Sequence, residues 1–236
     1  MEGNGSNNNI SAELEKLVLI PPGSKICLVG KTNSGKSTLL KEMLEQSDDI
    51  FTEIPSTIYF VYHHRQDFFQ PLRQALATKG IRIVFIHRNV PEAIENPERK
   101  HLVLAVDDFN EQRDIPTVAN YFLRAARHNK ITIIINFQTL FVNNDHFRAI
   151  MSNADFIALF YMTKIASQLK CFAYQLFGDK KVSDRFINLY HILTNEPNGS
   201  LILDLRQSVT HRIRNTFSLC TKRVEFYKIG SDDSYC

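Results

Sequence analysis

The sequence predicts an α/β fold in which a mainly parallel β-sheet is flanked by helices on both faces. Short apolar runs rich in β-branched residues, such as Leu102–Val106 and Ile131–Phe137, alternate along the chain with longer amphipathic segments. Runs that are apolar throughout are typical of strands buried on both faces. The 236 residues are 44% hydrophobic, which is enough for one sizeable core. We therefore expect a single domain over residues 11–236.

The first half of the chain begins with residues 1–10, which are rich in Gly, Asn and Ser and are predicted to form a disordered tail. A short helix is expected over residues 10–19, before Pro21 and Pro22 break the chain. Apolar runs of β-forming residues predict strands over 25–29, 57–62, 81–86 and 102–106. Apolar residues at helical spacing predict helices over 38–46 and 67–78. Two prolines and many charges predict a surface loop over 89–100.

In the second half, Pro116 predicts the opening of a helix over residues 115–128. The strongest strand signal in the chain follows at 131–137. The remaining pattern predicts helices over 147–152, 165–177 and 184–193, and a strand over 156–161. Two late strands, 201–205 and 224–229, are joined by a basic stretch and are expected to be a small addition to the main sheet.

Composition argues against secretion and membrane insertion. Residues 1–9 contain no apolar signal-peptide core, and the longest apolar runs are far too short to span a bilayer. The four cysteines form no CxxC pair and show no zinc-ligand spacing, so we expect free thiols in an intracellular protein. The formal net charge of +3 is compatible with a nucleic-acid partner but does not require one.

Residues 30–37 fit the phosphate-loop pattern G-x-x-x-x-G-K-[ST] at every position, between a predicted strand and a predicted helix. Gly30 and Gly35 let the backbone curl so that successive N–H groups face one centre, where the helix adds the positive end of its dipole. Lys36 is expected to reach the β- and γ-phosphates, and the Ser37 hydroxyl is expected to bind Mg²⁺. The predicted nucleotide-binding residues are Gly30, Lys31, Thr32, Asn33, Ser34, Gly35, Lys36, Ser37 and Thr38.

The strand Leu102–Val106 runs directly into two carboxylates, Asp107 and Asp108. A buried strand that ends in a carboxylate matches the Walker B arrangement, in which the first carboxylate orders the magnesium shell, usually through water. Asp107 is therefore predicted to belong to the metal site. The second carboxylate can polarise the attacking water, which makes Asp108 the predicted catalytic base and Glu111 a nearby alternative.

A glutamine follows the strongest strand: Ile131–Phe137 leads straight into Gln138. NTPases with an extra strand between the phosphate-loop strand and the Walker B strand carry a polar residue at the tip of that strand, between the γ-phosphate and the metal. One predicted helix separates Asp107 from this strand, as a single helical crossover requires. Gln138 is therefore predicted to orient water or to report hydrolysis.

An arginine, Arg127, stands before the opposite end of the same strand. Nucleotides bind beyond the carboxyl ends of parallel strands, and seven strand residues at about 3.3 Å each place Arg127 roughly 20 Å from the phosphates of its own chain. Arg127 is therefore predicted to act in trans, at the site of a neighbouring subunit, and a solvated helix C-terminus is the alternative interpretation. Arg148 is a second candidate, which could also contact a γ-phosphate in cis.

In these motifs the chain resembles the FtsK–HerA superfamily of DNA-pumping ATPases, and in particular the genome-packaging ATPases of large DNA viruses and Polinton-type elements (the poxvirus-like and adintovirus-like branch). The resemblance rests on GKTNSGKS (30–37), LVLAVDD (102–108), RHNKITIIINFQTLF (127–141) and GSLILDLRQSVTHRIRN (199–215). The sensor glutamine of that family matches Gln138, and its trans-acting arginine matches Arg127. Asp108 departs from the glutamate of the wider superfamily, so the resemblance leaves the identity of the base open.

The resemblance implies a P-loop NTPase of the ASCE type, with strand order 5-1-4-3-2 and a small C-terminal β addition. It implies ATP and Mg²⁺ as ligands, double-stranded DNA as the partner, a homo-oligomeric ring, and a capsid or portal-vertex protein as docking partner. Such a protein would act at the virus assembly site in the nucleus or cytoplasm and could be associated with the virion.

Several basic residues are candidates for contact with the DNA backbone, since a translocase must bind phosphates of any sequence. They are Lys79, Arg82, Arg206, His211, Arg212, Arg214, Lys222 and Arg223. A solvated basic strand edge is an equally good interpretation of this set. The neighbouring His63 and His64 lack a partner with metal spacing, and Phe68 and Phe69 are expected in the core.

Two other functions fit the sequence. A small-molecule kinase of the nucleoside type fits the chain length and the arginine-rich 206–214 stretch, and a nucleotide-gated binding module without turnover fits Asp108. A GTPase is disfavoured because residues 129–132 (Asn-Lys-Ile-Thr) resemble a guanine-reading motif but lack its final Asp and precede their strand.

Overall fold

The computed structural model describes residues 19–107, 111–163, 166–206, 212–217 and 225–227. The strands are β1 (Lys25–Val29), β2 (Thr57–Tyr62), β3 (Arg82–His87), β4 (Leu102–Val106), β5 (Ile131–Phe137), β6 (Phe156–Phe160), β7 (Ser200–Asp204), β8 (Arg212–Arg214) and β9 (Phe226–Tyr227). The helices are α1 (Lys36–Glu45), α2 (Ser47–Ile50), α3 (Phe69–Thr78), α4 (Glu111–Asn120), α5 (Ala126–His128), α6 (Asp145–Ser152), α7 (Ala166–Phe177) and α8 (Lys180–Thr194). A π-helical turn, Tyr121–Ala125, joins α4 to α5.

The described strands form one sheet in the order β3-β2-β4-β5-β1-β6-β7-β8-β9. The first six strands in that order are parallel, and the last three continue the sheet in antiparallel pairing. The segment β6-β1-β5-β4-β2 reproduces the predicted 5-1-4-3-2 order, which is confirmed, and β3 adds one further parallel strand outside β2. Strand β5 therefore lies between the phosphate-loop strand β1 and the acidic strand β4.

Helices cover both faces of this sheet. Each central strand sends alternate apolar side chains to opposite sides, and both sets have to be buried. On one face, Leu28 and Ile134 belong to a buried cluster that includes Leu40 of α1 and Leu72 of α3. On the other face the buried cluster contains residues of α4, α6, α7 and α8, among them Val118, Phe147, Ala173 and Tyr190. The face that carries α1 is the one on which the candidate site is built.

Several helix predictions need correction at their starts, and α3 and α6 begin two residues away from the predicted positions, at Phe69 and Asp145. Helix α4 begins at Glu111 rather than residue 115, so Pro116 lies inside the helix instead of opening it, with the buried Ile115 and Val118 on either side. Helix α8 begins at Lys180, four residues before the prediction, because the Asp179 carboxylate caps it by accepting a hydrogen bond from the Val182 N–H at 2.9 Å. Helix α1 likewise begins at Lys36, directly after the phosphate loop.

The C-terminal addition differs from the prediction by one strand. Strand β8 was not expected, because an Arg-Ile-Arg triplet is too short and too charged to read as a strand. It forms because Arg212, Ile213 and Arg214 pair with β7 in antiparallel register. None of the described helices has the length and hydrophobicity needed to cross a bilayer.

A buried histidine joins the amino ends of β4 and β5. The His101 ring bonds through Nδ1 to the carbonyl oxygen of Glu53 and through Nε2 to the Thr132 hydroxyl at 2.8 Å. A carbonyl can only accept, so we assign the proton to Nδ1, and Nε2 then accepts from the Thr132 hydroxyl. Burial lowers the pKa of His101, so the folded protein holds this side chain neutral.

The buried His101 predicts a loss of stability in acid. Because its pKa is lowered on folding, the unfolded chain binds the proton first, so the stabilisation is complete above the ordinary histidine pKa of about 6.5 and declines below it by up to about 1.4 kcal/mol per pH unit. Urea unfolding at pH 7.5, 6 and 5 measures this slope. Substitution His101→Gln is expected to flatten it, whereas the exposed His128→Gln leaves it unchanged; equal slopes in all three proteins would contradict the assignment.

Candidate active site

The phosphate loop leaves β1 as a tightly packed turn at the carboxyl edge of the sheet. The Gly30 N–H still bonds to the Phe137 carbonyl at 3.1 Å, and a side chain at Gly30 would collide with Phe160. Gly35 has φ = 103°, a left-handed conformation that favours glycine, and leads directly into α1. A Cβ at Gly35 would lie 2.8–3.0 Å from atoms of Asn198, in the loop before β7. Both glycines are therefore required by conformation or by close contact.

The Lys36 side chain is buried and folds back over the loop. Its ammonium group donates to the carbonyl oxygens of Gly30 and Lys31, each at 2.7 Å. A cation is thus held beside the N-terminus of α1, where backbone N–H groups and the helix dipole also favour an anion. This arrangement suits the β- and γ-phosphates of a nucleotide.

The Asp107 carboxylate is 99% buried and accepts three hydrogen bonds from neutral side chains. Its Oδ1 accepts from the Ser37 hydroxyl at 2.9 Å and from the Asn136 amide at 2.5 Å. Its Oδ2 accepts from the Gln66 amide at 2.7 Å. No Lys or Arg side chain pairs with Asp107 among the described residues, so its negative charge is available to a cation in the cleft.

Strand alternation explains why these groups meet. Val106 is paired with Ile135, so the residues that follow them, Asp107 and Asn136, lie side by side on the face that carries α1. Gln138, two residues beyond Asn136, is on the same face and is exposed to the cleft. The cleft has a volume of about 420 Å³ and is lined by Thr32, Asn33, Gly35, Lys36, Ser37, Thr38, His64, Gln66, Asp107, Asn136 and Gln138.

The donor set fits Mg²⁺, which prefers oxygen ligands. The Ser37 hydroxyl and the Asp107 carboxylate lie 2.9 Å apart at the floor of the cleft, so the first would bind the ion directly and the second would hold one of its waters. When bound, Mg²⁺ would neutralise charge on the β- and γ-phosphate oxygens.

The other predicted catalytic residues are placed differently. Asp108 lies outside the described residues, and Glu111 is the first residue of α4. Arg127 is at the amino edge of the sheet, where it pairs with Asp155 at 3.0 Å while its side chain remains 74% exposed. Arg148 pairs with Asp145 on α6 and does not line the described cleft.

Two of the candidate DNA-contacting arginines are structural, which corrects that prediction. Arg214 is fully buried beside the rings of Phe156 and Phe217, and burial lowers its pKa to about 10. Arg206 pairs with Asp204 at 2.5 Å and lies over the Phe156 ring at 4.4 Å.

The remaining candidates for DNA contact are divided between the surface and the undescribed part of the chain. Lys79 donates to the Glu45 carbonyl at 2.8 Å and pairs with Asp48, and Arg82 is exposed on the outer strand β3. His211, Lys222 and Arg223 lie outside the described residues, and Arg212 lies in β8.

Sequence reasoning missed three residues of the site: His64, Gln66 and Asn136. His64 was expected to have no role at a site, but it lines the cleft. Asn136 is an amide near the carboxyl end of a strand that is apolar apart from Thr132, and that anomaly could have identified it. Gln66 lies in an irregular turn and reaches Asp107 across 41 residues of sequence, so no local pattern points to it. Phe69 is in the core as expected, and Phe68 is partly buried against it.

Comparison with known proteins agrees with this geometry. A family model described as 50S ribosome-binding GTPase matches residues 25–138, from the first residue of β1 to Gln138. The DNA-packaging ATPase B204 of Sulfolobus turreted icosahedral virus has a TM-score of 0.50 over 79% of this chain and 94% of that one, at 18% identity, a likeness that shows the fold alone. The chain has the P-loop NTPase fold. This structural neighbour is named as an ATPase, which is a nucleotide hydrolase.

Two curated relatives match part of this P-loop NTPase. The tRNA modification GTPase MnmE of Petrotoga mobilis is 31% identical over 106 residues, which cover 44% of this chain and 24% of that protein. MnmE of Mesomycoplasma hyopneumoniae is 29% identical over 153 residues, 60% of this chain and 34% of that protein. The matched segments thus span between a quarter and about a third of these relatives. The choice of ATP or GTP and membership of the FtsK–HerA superfamily stay predictions.

Gly35→Ala is expected to impair both folding and nucleotide binding. Gly80 offers a matched control, since its φ is also positive, at 72°, but a Cβ there would meet no atom within 4 Å. Gly80→Ala should show only the conformational penalty of about 1–2 kcal/mol. Gly35→Ala adds the collision with Asn198, so thermal unfolding should show a larger loss and nucleotide titration a weaker affinity. Equal effects of the two substitutions would contradict this packing.

Proposed function

We propose that this P-loop NTPase is an ATP-hydrolysing, ring-forming motor that translocates double-stranded DNA, and that it packages a viral genome into a capsid. The observation that carries the proposal is the separation of Arg127 from the cleft. Lys36, Ser37, Asp107 and Gln138 meet at the carboxyl edge of the sheet, whereas Arg127 lies at the amino edge of the same strand β5. The packaging role itself rests on the motif resemblance.

Arg127 is suited to act on a neighbour. The seven residues of β5 span roughly 20 Å, too far for one side chain to bridge within its own subunit. In its ion pair with the buried Asp155, the Arg127 side chain is still 74% exposed, so most of it is open to a neighbouring subunit. Cyclic assembly places the amino edge of one subunit near the cleft of the next, and an arginine supplied in trans can accelerate hydrolysis about 10³–10⁵-fold.

Within the cleft each side chain has a proposed task. Lys36 binds the β- and γ-phosphates, and Ser37 and Asp107 hold Mg²⁺. Gln138 is exposed at the tip of β5 and orients the attacking water. Asp108 or Glu111 accepts the proton from that water, with Asp108 directly beside Asp107 in sequence.

The position of residues 129–132 excludes them as a guanine-reading motif. Asn129 and Lys130 lie at the amino end of β5, where the Asn129 carbonyl accepts a hydrogen bond from Asn96 at 2.6 Å and Lys130 pairs with Glu53 at 2.9 Å. They are on the edge of the sheet opposite the cleft, so they cannot read a base bound there. The family match favours a second candidate, a GTPase, and parallel titrations with ATP and GTP distinguish the two.

A mixing experiment tests the trans arginine. Lys36→Ala and Arg127→Ala are each expected to abolish most ATPase activity, but an equal mixture should recover activity at roughly a quarter of the sites, where an intact loop faces an intact arginine. Arg124→Ala, one turn before Arg127 and also exposed, is the matched control and should stay active alone. Full activity of Arg127→Ala, or no recovery in mixed assemblies, would exclude the trans role.

Duplex DNA is expected to stimulate ATP hydrolysis, and the stimulation should fade with added salt because phosphate contacts release counterions. Steady-state ATPase assays with and without DNA, at 50 and 200 mM salt (about the range over which such contacts weaken strongly), measure this. A strict monomer under ATP with no DNA response would count against the motor. A burst of ADP that depends on added nucleoside would favour the kinase instead.

A further inference from the structure

The hydrogen bonds that described residues make to Asp107 leave one acceptor position of its carboxylate open. An ionised carboxylate offers about four lone-pair directions, two on each oxygen. Oδ1 uses both of its directions, for Ser37 and Asn136. Oδ2 accepts from Gln66, and from no other described residue. The unused lone pair is therefore on Oδ2. Its orientation depends on the hydrogen bond that Oδ2 accepts from the Gln66 amide.

We propose that Gln66 is a positioning residue of the metal site, whose amide holds Oδ2 of Asp107 so that its free lone pair faces the magnesium shell. This inference rests on the proposed role of Asp107 and extends it to a residue outside every motif. Groups that orient a metal-binding side chain in this way typically change metal affinity by about 10–100-fold when removed. Gln66 also lines the cleft, and its side-chain amide bonds to Asp107, so its effect on the metal passes through that carboxylate.

Gln66 differs from the other two donors in where its backbone lies. Ser37 is fixed by α1 and the phosphate loop, and Asn136 is fixed by the buried ladder of β5. Gln66 lies in the turn between β2 and α3, which is outside the sheet and outside the loop. The orientation of Oδ2 thus depends on how firmly that turn is held.

A cluster of aromatic rings holds the turn. The Phe69 N–H bonds to the Gln66 carbonyl at 3.2 Å, and the Phe69 ring stacks on Phe85 of β3 with 4.5 Å between ring centroids. Phe69 also meets the edge of Tyr62 at 4.8 Å, and Phe68 meets the edge of Phe60 at 6.1 Å. Such contacts each contribute about 0.5–1.5 kcal/mol beyond burial. These contacts fix the backbone of Gln66. The Gln66 side chain therefore loses little conformational freedom when it bonds to Asp107.

Gln66→Ala tests the proposal, with Gln70→Ala as the matched control, since Gln70 is exposed on α3 in the next turn of chain. Binding of a fluorescent ATP analogue is measured first in EDTA and then during a Mg²⁺ titration. Gln66→Ala removes one of three donors to a buried carboxylate, so a modest fall in the unfolding temperature is expected. The Mg²⁺ concentration for half-maximal effect should rise about tenfold, a larger change than any in metal-free nucleotide affinity. Direct Mn²⁺ binding, followed by electron paramagnetic resonance in the presence of nucleotide, should weaken by the same factor.

Two results would overturn the role of Gln66. An unchanged Mg²⁺ and Mn²⁺ dependence would show that Asp107 does not need this hydrogen bond. A loss of metal-free nucleotide affinity as large as the loss of metal affinity would show that Gln66 only maintains the cleft. Either result concerns the Gln66 variant alone. The Mg²⁺ dependence of the wild-type protein and the proposed roles of Arg127 and DNA would not be affected. A wild-type protein whose nucleotide affinity ignores Mg²⁺ would instead refute the role of Asp107 itself.

Discussion

The buried charge of Asp107 is the constraint on which the rest of the site depends. A carboxylate that is withdrawn from water must be compensated, and here three neutral donors do so without cancelling its charge. An arginine or lysine in their place would satisfy the carboxylate but would also compete with a metal ion. Each donor arrives from a different part of the chain, so the fold has to bring together β4, β5, α1 and the turn after β2.

The strand order determines which residues lie at the nucleotide edge of the sheet and which lie at the opposite edge. Because β5 lies between β1 and β4, its carboxyl end places Asn136 and Gln138 next to the acidic strand, while its amino end places Arg127 on the far edge. Under the proposed function, the two ends of this strand lie at two different sites. A single subunit has a complete set for binding nucleotide and, under the proposed function, an incomplete set for hydrolysing it quickly.

Much of this could be predicted from the sequence where local chemistry determines structure. Strands β1, β2, β4 and β5 have the predicted bounds because short runs dominated by apolar, β-forming residues leave little choice. The phosphate loop was identifiable because its glycines, Lys36 and Ser37 are adjacent in sequence. Gln66 and Arg214 were not predictable, since their roles come from pairing across the fold: antiparallel register with β7 turns Arg214 into the core, although an isolated Arg-Ile-Arg triplet suggests an exposed strand edge.

The contact between Gly35 and Asn198 has a consequence for the C-terminal strands. The loop that leads from α8 into β7 occupies the space that a side chain would need at the phosphate loop, and Asn198 itself has φ = 58°. The loop that begins the antiparallel extension thus supports the phosphate loop by direct packing. Shortening this loop would remove the residue that packs against Gly35. A change in the loop before β7 therefore has to be compatible with the conformation of the phosphate loop.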